Sequence, residues 1–264
     1  MMFQITPMVK RILILNIGIW LLMIVSGLPL IQYFGLRVAF SEEFQPWQLF
    51  TYMWLHDDVG FGHVFWNMIL VLICGIRLEG VWGSKKFLIY YLACGIGAGV
   101  LYAGLDYMEK SKMRTQYEVF MADPNPDDFQ VYLMEYAGKS NALQHYRFTE
   151  EYFENEDNIS YERQAREIVS SINKAILNIP MVGASGAIYG LMVAMILLFP
   201  NMELLLMFVF PVKIKYLFGA AIVMEVFYEM NRVEGDTIAH LAHLSGALVG
   251  FIMIRYLWAE KSRF

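Results

Sequence analysis

The sequence has 264 residues, of which 58% are hydrophobic and 17% charged, and its mean hydropathy is +0.44. Because a soluble domain is about 45–50% apolar, this excess indicates a polytopic membrane protein rather than a large water-soluble domain. The net charge of −5 excludes the basic footprint of a nucleic-acid-binding protein, and the two cysteines lack the spacing of a metal site or a disulfide framework.

Long apolar stretches predict six membrane-spanning helices, most of them close to the ~20 residues that a helix needs to cross a bilayer. The first follows Lys10 and Arg11 and has no small-residue cleavage site, so we expect a retained span rather than a signal peptide. Leu204–Phe210 is short, apolar and followed by Pro211, which favours a shallow element at the membrane face. The predicted spans are Ile12–Tyr33, Phe61–Leu78, Phe87–Leu105, Ala184–Phe199, Val212–Met230 and Thr237–Trp258.

Two segments between the spans are not ordinary loops. Residues 35–60 are rich in aromatic side chains, which favours an interfacial segment at the level of the lipid headgroups. Residues 106–178 hold 14 acidic and 8 basic residues with helical periodicity, which predicts a polar insertion outside the membrane. The predicted organisation is therefore membrane helices 1–3 in residues 1–105, an acidic extramembrane insertion in 106–179, and membrane helices 4–6 in 180–264.

The placement of lysine and arginine predicts the orientation, since cytoplasmic loops carry the excess of these residues. With the insertion set aside, one side has only Arg37 and Arg232. The other side has ten: Lys10, Arg11, Arg77, Lys85, Lys86, Lys213, Lys215, Arg255, Lys261 and Arg263. Both termini are therefore expected in the cytoplasm, with segment 35–60 and the acidic insertion outside.

Three polar residues are predicted to share one depth in the membrane. Ser185 lies 14 residues before Phe199, His63 lies 14 before Arg77, and His243 lies 14 before Leu257, each at or next to the inner end of its span. At about 1.5 Å per residue, each lies about 21 Å above the inner boundary of a hydrocarbon core that is about 30 Å thick. Ionisable residues at such depth need partners or a water-filled cavity, so they are functional candidates by default.

These residue types suit acyl transfer. A serine beside a histidine forms a nucleophile with its base, and the helix start at Ser185 exposes backbone N–H groups to a developing oxyanion. His63 and Asn67 share one helix face and both can donate hydrogen bonds. Each residue also has a structural interpretation: Ser185 as a helix cap, Asn67 as an interhelical hydrogen bond, and His240 with His243 as a structural or metal-binding pair.

Packing explains other features of the last two spans. Gly246-x-x-x-Gly250 is a motif of small residues that lets two membrane helices approach closely. Glu225 is deep enough in the fifth span to be costly if unpaired. We therefore expect it to form a hydrogen bond inside the bundle or to be a protonated acid.

Four motifs occur in order along these spans: Trp47-Gln48-Leu49-Phe50-Thr51-Tyr52-Met53-Trp54-Leu55-His56, His63-x-x-x-Asn67, Gly183-Ala184-Ser185-Gly186 with Tyr189, and Ala242-His243-Leu244-Ser245-Gly246-x-x-x-Gly250. With them the sequence resembles the rhomboid family of intramembrane serine proteases over about 190 residues. The resemblance implies an all-α membrane protein, a six-transmembrane-helix rhomboid-like bundle, here with an external soluble insertion between helices 3 and 4.

The resemblance also implies the roles of individual residues. Ser185 is the expected nucleophile and His243 its general base, while His63, Asn67 and the Ser185 backbone N–H line the oxyanion hole. Tyr189 packs against the His243 ring, and Gly183, Gly246 and Gly250 support the site. His240 is expected to have a structural or hydrogen-bonding role. The family works with a serine–histidine dyad, so no third acid, metal or cofactor is expected.

The expected function is that of a serine endopeptidase that hydrolyses peptide bonds in or next to transmembrane segments of membrane proteins. Its partners are then transmembrane substrates and the lipid bilayer of a cell (inner) membrane, with no nucleic acid. The alternative is a non-catalytic rhomboid-like protein that binds membrane clients, and a transporter or metalloprotease is disfavoured because inverted repeats and HExxH are absent. The insertion of residues 106–178 departs from the family pattern. One hypothesis is that it covers the site or selects substrates, and the alternative is that it is a solvated appendage.

Overall fold

The computed structural model describes residues 4–57, 60–138, 145–206, 209–231 and 239–257, and it is predominantly helical. The helices of the described residues are α1 (Pro7–Ser26), α2 (Leu30–Phe34), α3 (Gln48–Thr51), α4 (Phe61–Trp82), α5 (Ser84–Ala122), α6 (Pro126–Tyr132), α7 (Tyr146–Glu154), α8 (Ile159–Leu177), α9 (Ser185–Leu198), α10 (Ile214–Met230) and α11 (His240–Ile252). Short 3-10 or π-helical turns extend three of them: Tyr52–Trp54 after α3, Leu133–Ala137 after α6, and Met253–Leu257 after α11. Two strands, β1 (Glu203–Leu206) and β2 (Phe210–Lys213), form an antiparallel hairpin.

Three helices, α1, α4 and α5, are long and apolar enough to cross a membrane by length and composition. Helix α9 is apolar but has only 14 residues, which corresponds to about 21 Å of helix. The expectation of a membrane protein built from apolar helices is therefore confirmed at this coarse level. The count of six spans and their orientation stay predictions.

Two helix ends differ most from the predicted spans. Helix α1 ends at Ser26 rather than Tyr33, because Gly27 adopts a left-handed φ of 66° and Pro29 follows it, a combination that terminates helices. Helix α5 continues past the predicted end at Leu105 to Ala122. Its polar second half remains helical because it buries an apolar face against the helices of the insertion.

The predicted shallow element at Leu204–Phe210 corresponds to the β-hairpin. Leu204 pairs with Val212, and Glu203 pairs with Lys213. Val212 was predicted to begin the fifth span, but it lies in β2, and α10 begins only at Ile214. Pro211 is tolerated here because both strands of a two-stranded ribbon are edge strands. The prediction of a helix that begins at Val212 did not take such a ribbon into account.

The first hydrophobic core joins the apolar helices around α9, which packs against α4, α5, α10 and α11. Glycines permit this close packing. A Cβ atom on Gly246 of α11 would lie 1.9 Å from the carbonyl oxygen of Gly186, and one on Gly250 would lie 2.8 Å from the Cα of Gly190. The small-residue motif therefore brings the backbones of α9 and α11 into contact.

A second hydrophobic core lies within residues 106–178, between the end of α5 and helices α6, α7 and α8. Its largest buried side chains are aromatic, and the rings of Phe129 and Tyr152 lie 5.9 Å apart. Ala165 and Val169 of α8 are fully buried here. The insertion thus has a core of its own, while its location outside the membrane stays a prediction.

A buried carboxylate, Glu79, joins three apolar helices at one end. It accepts hydrogen bonds from the backbone N–H groups of Met8 and Val9, each at 2.9 Å, and from the hydroxyl of Ser84. Because the first N–H groups of a helix have no intrahelical partner, Glu79 stabilises the start of α1 and links it to α4 and α5.

Candidate active site

The centre of the candidate site is a contact between the first residue of α9 and the first turn of α11. The Oγ atom of Ser185 lies 2.8 Å from Nε2 of His243, although the two residues are 58 positions apart in the sequence. The close approach of the two helices at Gly186 and Gly246 makes this distance possible. A hydroxyl within hydrogen-bond reach of an imidazole is the geometry that nucleophilic catalysis requires.

The ring of Tyr189 holds the plane of the His243 imidazole. The two rings stack with their centroids 4.5 Å apart and an interplanar angle of 8°. Tyr189 stands one turn after Ser185 on α9, so the same helix presents the hydroxyl and the supporting ring. Its own hydroxyl donates a hydrogen bond to Oε1 of Glu225, which fixes the position of the ring.

Glu225 of α10 lies beside His243. This contact was not predicted from the sequence. Its Oε2 atom is 2.5 Å from Nδ1 of His240 and 3.0 Å from Nδ1 of His243. The expectation of a hydrogen bond inside the bundle described its environment but not its partners. Glu225 and the two histidines lie on different helices, so their spacing in the sequence does not predict a contact. Only the packing of α10 against α11 brings Glu225 next to the two histidines.

Gly183 occupies a conformation and a space that a side chain would not fit. Its φ of 125° lies in a region that residues with a Cβ rarely adopt. A Cβ atom here would lie 2.9 Å from Nε2 of His63 and 3.5 Å from the Oγ of Ser185. The backbone N–H of Gly183 donates to the carbonyl oxygen of Tyr52 at 3.0 Å, so Tyr52 of segment 35–60 anchors the residues that lead into α9.

The end of the insertion is anchored to the same segment. Leu36 and Met181 pair through two backbone hydrogen bonds of 2.9 and 2.8 Å. The side chains of Arg37 and Ser41 contact Asn178, the residue after α8. Residues 36–52 therefore contact both the end of the insertion and the residues that lead into α9.

His63 and Asn67 of α4 both carry potential hydrogen-bond donors, and Nε2 of His63 lies beside Gly183. Nδ1 of His63 accepts a 3.4 Å hydrogen bond from the backbone N–H of Asp57, so the inferred tautomer carries its proton on Nε2, the nitrogen beside Gly183. The Asn67 side chain is buried, and its Nδ2 has no hydrogen-bond partner among the residues that the structure describes. Buried donors normally have partners, and the role of Asn67 in an oxyanion hole stays a prediction.

Comparison with known proteins identifies the family. A sequence model of the Rhomboid domain matches residues 43–116 and 161–260, about two thirds of the chain. The chain belongs to the rhomboid family. The matched segments include Ser185, His243, His63 and Asn67. The gap between the two segments, residues 117–160, is the middle of the acidic insertion.

Curated relatives of this rhomboid occur in Arabidopsis thaliana. RHOMBOID-like protein 6, mitochondrial, is 42% identical over 59 residues, 22% of this chain and 19% of that protein. RHOMBOID-like protein 2 is 39% identical over 60 residues (23% and 18%), and RHOMBOID-like protein 5 is 32% identical over 76 residues (28% and 24%). The chain thus matches less than a quarter of the length of each of these relatives.

Another histidine of this rhomboid, His56, had no role assigned from the sequence. It is fully buried, its ring meets that of His63 edge to face at 5.1 Å, and neither of its nitrogens has a partner within the described part of the chain. Burial, and to a lesser degree the neighbouring His63, lowers the pKa of His56 to about 3. His56 is therefore neutral at physiological pH and packs against the ring of a predicted oxyanion-hole residue.

Glu225, His240 and His243 also form a group with metal-binding chemistry. Their candidate ligand atoms all lie within 4.8 Å of one another among the described residues. Two imidazoles and a carboxylate can ligate zinc. In this rhomboid the other nitrogen of His243 faces the hydroxyl of Ser185, and the absence of a metal from the site stays a prediction.

Proposed function

We propose that this rhomboid is an intramembrane serine endopeptidase that hydrolyses peptide bonds in or next to transmembrane segments. The observation that carries the proposal is the 2.8 Å contact between Ser185 Oγ and His243 Nε2. Family membership supports it, because all the residues assigned to the chemistry lie inside the matched segments.

The first half of the reaction is acylation. Ser185 Oγ attacks the scissile carbonyl carbon while His243 Nε2 takes the hydroxyl proton. The carbonyl oxygen becomes an oxyanion that accepts hydrogen bonds from His63, Asn67 and the backbone N–H of Ser185. His243 then gives its proton to the departing amine, the C–N bond breaks, and an ester to Ser185 remains.

The second half consumes one water molecule. His243 takes a proton from this water as its oxygen attacks the ester carbonyl, and the same donors stabilise the second oxyanion. Collapse of the intermediate breaks the bond to Ser185, which recovers its proton from His243. The products are a new carboxyl terminus and the amine released in the first half, with no cofactor required.

The proposed substrates are transmembrane helices that unwind readily. A helix in lipid keeps its carbonyl groups hydrogen-bonded, so a scissile bond becomes accessible only after local unwinding. Glycine or proline near the cut favours this because both weaken helices. Helix α9, about 21 Å long, is shorter than the ~30 Å core, which leaves room for water above Ser185, on the side that we propose faces outside.

The proposal is tested by cleavage in liposomes. A model substrate with one glycine-containing transmembrane helix should be cut by the wild type, while Ser185→Ala and His243→Ala should each lose at least about 10³-fold in rate. Ser26→Ala, an exposed serine at the end of α1, is the matched control and should keep full activity. Equal cleavage by Ser185→Ala would refute the serine mechanism, and substrate binding without cleavage by the wild type would favour the client-binding alternative.

A further inference from the structure

We infer that Glu225 is a positioning residue for His243, so that the site of this rhomboid works as a serine–histidine–glutamate arrangement rather than as a dyad. The inference rests on the proposed serine-protease function and concerns how its base is oriented. It departs from the expectation of a mechanism without a third acid. The observations that carry it are the position of the carboxylate, its other partners, and the charges around the imidazole.

The carboxylate and the nucleophile face opposite nitrogens of one imidazole. Nε2 of His243 is 2.8 Å from Ser185 Oγ, and Nδ1 is 3.0 Å from Glu225 Oε2. Nδ1 of His243 makes no hydrogen bond among the described residues, so its approach to Glu225 is a close polar contact. Hydrogen bonds of catalytic groups are often poorly aligned before substrate binds and tighten in the complex.

Two further donors hold the carboxylate in this position. The hydroxyl of Tyr189 donates to Oε1, and Nδ1 of His240 lies 2.5 Å from Oε2. Glu225 is only 8% exposed, and a carboxylate at such a position requires hydrogen bonds of this kind. Both donors also touch the base, since Tyr189 stacks on the His243 ring and His240 meets it edge to face at 6.3 Å.

This arrangement has two chemical consequences for His243. A carboxylate at Nδ1 favours the tautomer whose proton is on Nδ1, which leaves the lone pair of Nε2 free to accept the Ser185 proton. It also stabilises the imidazolium that forms when the proton is transferred. Both effects speed acylation without any contact between Glu225 and the substrate.

Among the described residues that face His243, the acidic one is Glu225. Helix α9 presents Ser185 and Tyr189, helix α10 presents Glu225, and α11 itself presents His240. Helix α4 adds His63, whose charge would oppose that of a protonated His243. The titratable residues that α5 places near α9 and α11, Tyr90 and Cys94, lie against Gly250 and Gly190, one to two turns further along. Removing the carboxylate therefore removes the negative charge that favours the imidazolium.

The test is the pH dependence of substrate cleavage by purified wild type, Glu225→Gln and Glu225→Asp in detergent. Glu225→Gln should lower kcat by about 10²–10⁴-fold with little change in KM, because the tautomer and the imidazolium lose their support. The acid limb of its kcat/KM profile should move to lower pH, since a base without a nearby carboxylate is harder to protonate. Glu225→Asp should recover part of kcat and part of the shift of the acid limb.

Glu79→Gln is the matched control, because it also converts a buried carboxylate to an amide but lies at the start of α1. It should lower the thermal midpoint and leave the acid limb unchanged. If Glu225→Gln does not fold, as judged by thermal midpoint and size-exclusion profile, Glu225→Asp carries the test. Its shorter side chain withdraws the carboxylate from Nδ1 and should lower kcat at least tenfold with the same direction of shift.

The possible outcomes separate the two proposals. A wild type without Ser185-dependent cleavage would overturn the protease function and this inference together. An active wild type with a folded Glu225→Gln or Glu225→Asp variant that keeps kcat and the acid limb would overturn the inference alone. Loss of wild-type activity in EDTA and its return with Zn²⁺ would assign Glu225 to a metal site and also overturn it, whereas activity unaffected by EDTA is the expected result.

Discussion

The apolar helices and the acidic insertion both bury aromatic side chains, but they differ in how closely their helices approach each other. In the apolar helices, glycine and alanine lie where helices cross, and large apolar side chains such as Val25 and Val100 point outward, 84% and 51% exposed. In the insertion, large aromatic side chains such as Phe129 and Tyr152 fill the interior. The difference teaches that the part of the molecule that holds the site depends on close backbone contact at glycines in addition to buried aromatic side chains such as Tyr90 and Phe87.

The two regions also differ in where their charged residues lie. The insertion carries exposed ion pairs one helical turn apart, such as Arg114–Glu118 and Arg147–Glu151, which stabilise little because water screens them. The apolar helices instead bury Glu79 and Glu225, each with several hydrogen-bond partners. Loss of a partner therefore matters more in the apolar region than in the insertion.

The largest effect is expected where the backbones touch. Gly246→Val would place side-chain atoms against the carbonyl oxygen of Gly186, 1.9 Å from the new Cβ, and would force α9 and α11 apart. Since a displacement of about 1 Å can cost about 10²-fold in rate, cleavage should fall by at least that factor. Gly219→Ala on α10, where a new Cβ meets nothing within 4 Å, should keep its activity. Equal activity of both variants would contradict the packing argument.

A smaller effect on the site is expected from a cavity in the insertion. Phe129→Ala removes a fully buried ring and should destabilise the second core by about 3–5 kcal/mol, measured by hydrogen exchange of α6–α8. Reaction of Ser185 with a small fluorophosphonate should stay within about twofold of wild type, because the site is held by the first core. The exposed Val131→Ala is the control. Loss of labelling in parallel with exchange protection would show that the two regions fold as one.

The same variant sharpens the role of the insertion. If residues 106–178 cover the site or select substrates, Phe129→Ala should change the relative rates for different protein substrates while the small probe reacts normally. Unchanged relative rates would favour a solvated appendage. The contacts of Arg37 and Ser41 with Asn178 link the end of the insertion to the segment that also contacts Gly183, so a change in the insertion can affect the site.

The smallest effect concerns the pH dependence of stability at His56. Its folded-state pKa, about 3, is below the unfolded value of about 6.5, so the wild type loses stability as pH falls from about 6.5 toward 3. His56→Phe keeps a ring and removes this loss, which amounts to about 2 kcal/mol at pH 5. Chemical denaturation in detergent at pH 5 and pH 8 should show the variant gaining on the wild type only at pH 5. An equal difference at both values would contradict a buried neutral His56.

Apolar periodicity and depth counting predicted much of the architecture. The stretches around α1, α4, α5 and α9 are apolar over a whole helix length, so their existence follows from hydropathy alone. Counting 14 residues back from Phe199 and from Leu257 predicted one depth for Ser185 and His243, and in the structure Ser185 Oγ lies 2.8 Å from His243 Nε2. The motif order along the spans was sufficient to point to the family.

Other features depend on local backbone conformation or on contacts between elements, neither of which hydropathy reports. The end of α1 is set by the backbone of Gly27, and the hairpin by pairing of strands too short to show alternation. The second half of α5 is helical because of its partners in the insertion. Glu225 could be recognised as a costly buried acid, but its contact with His243 follows only from how α10 packs against α11.

The central claim, that Ser185 is a nucleophile activated by His243, is tested most directly by a fluorophosphonate probe and mass spectrometry. The purified wild type should gain one phosphonyl adduct, mapped to Ser185, and labelling should vanish in Ser185→Ala and fall sharply in His243→Ala. A wild type that cleaves its substrate yet carries no adduct on Ser185, or carries it on another residue, would contradict the account.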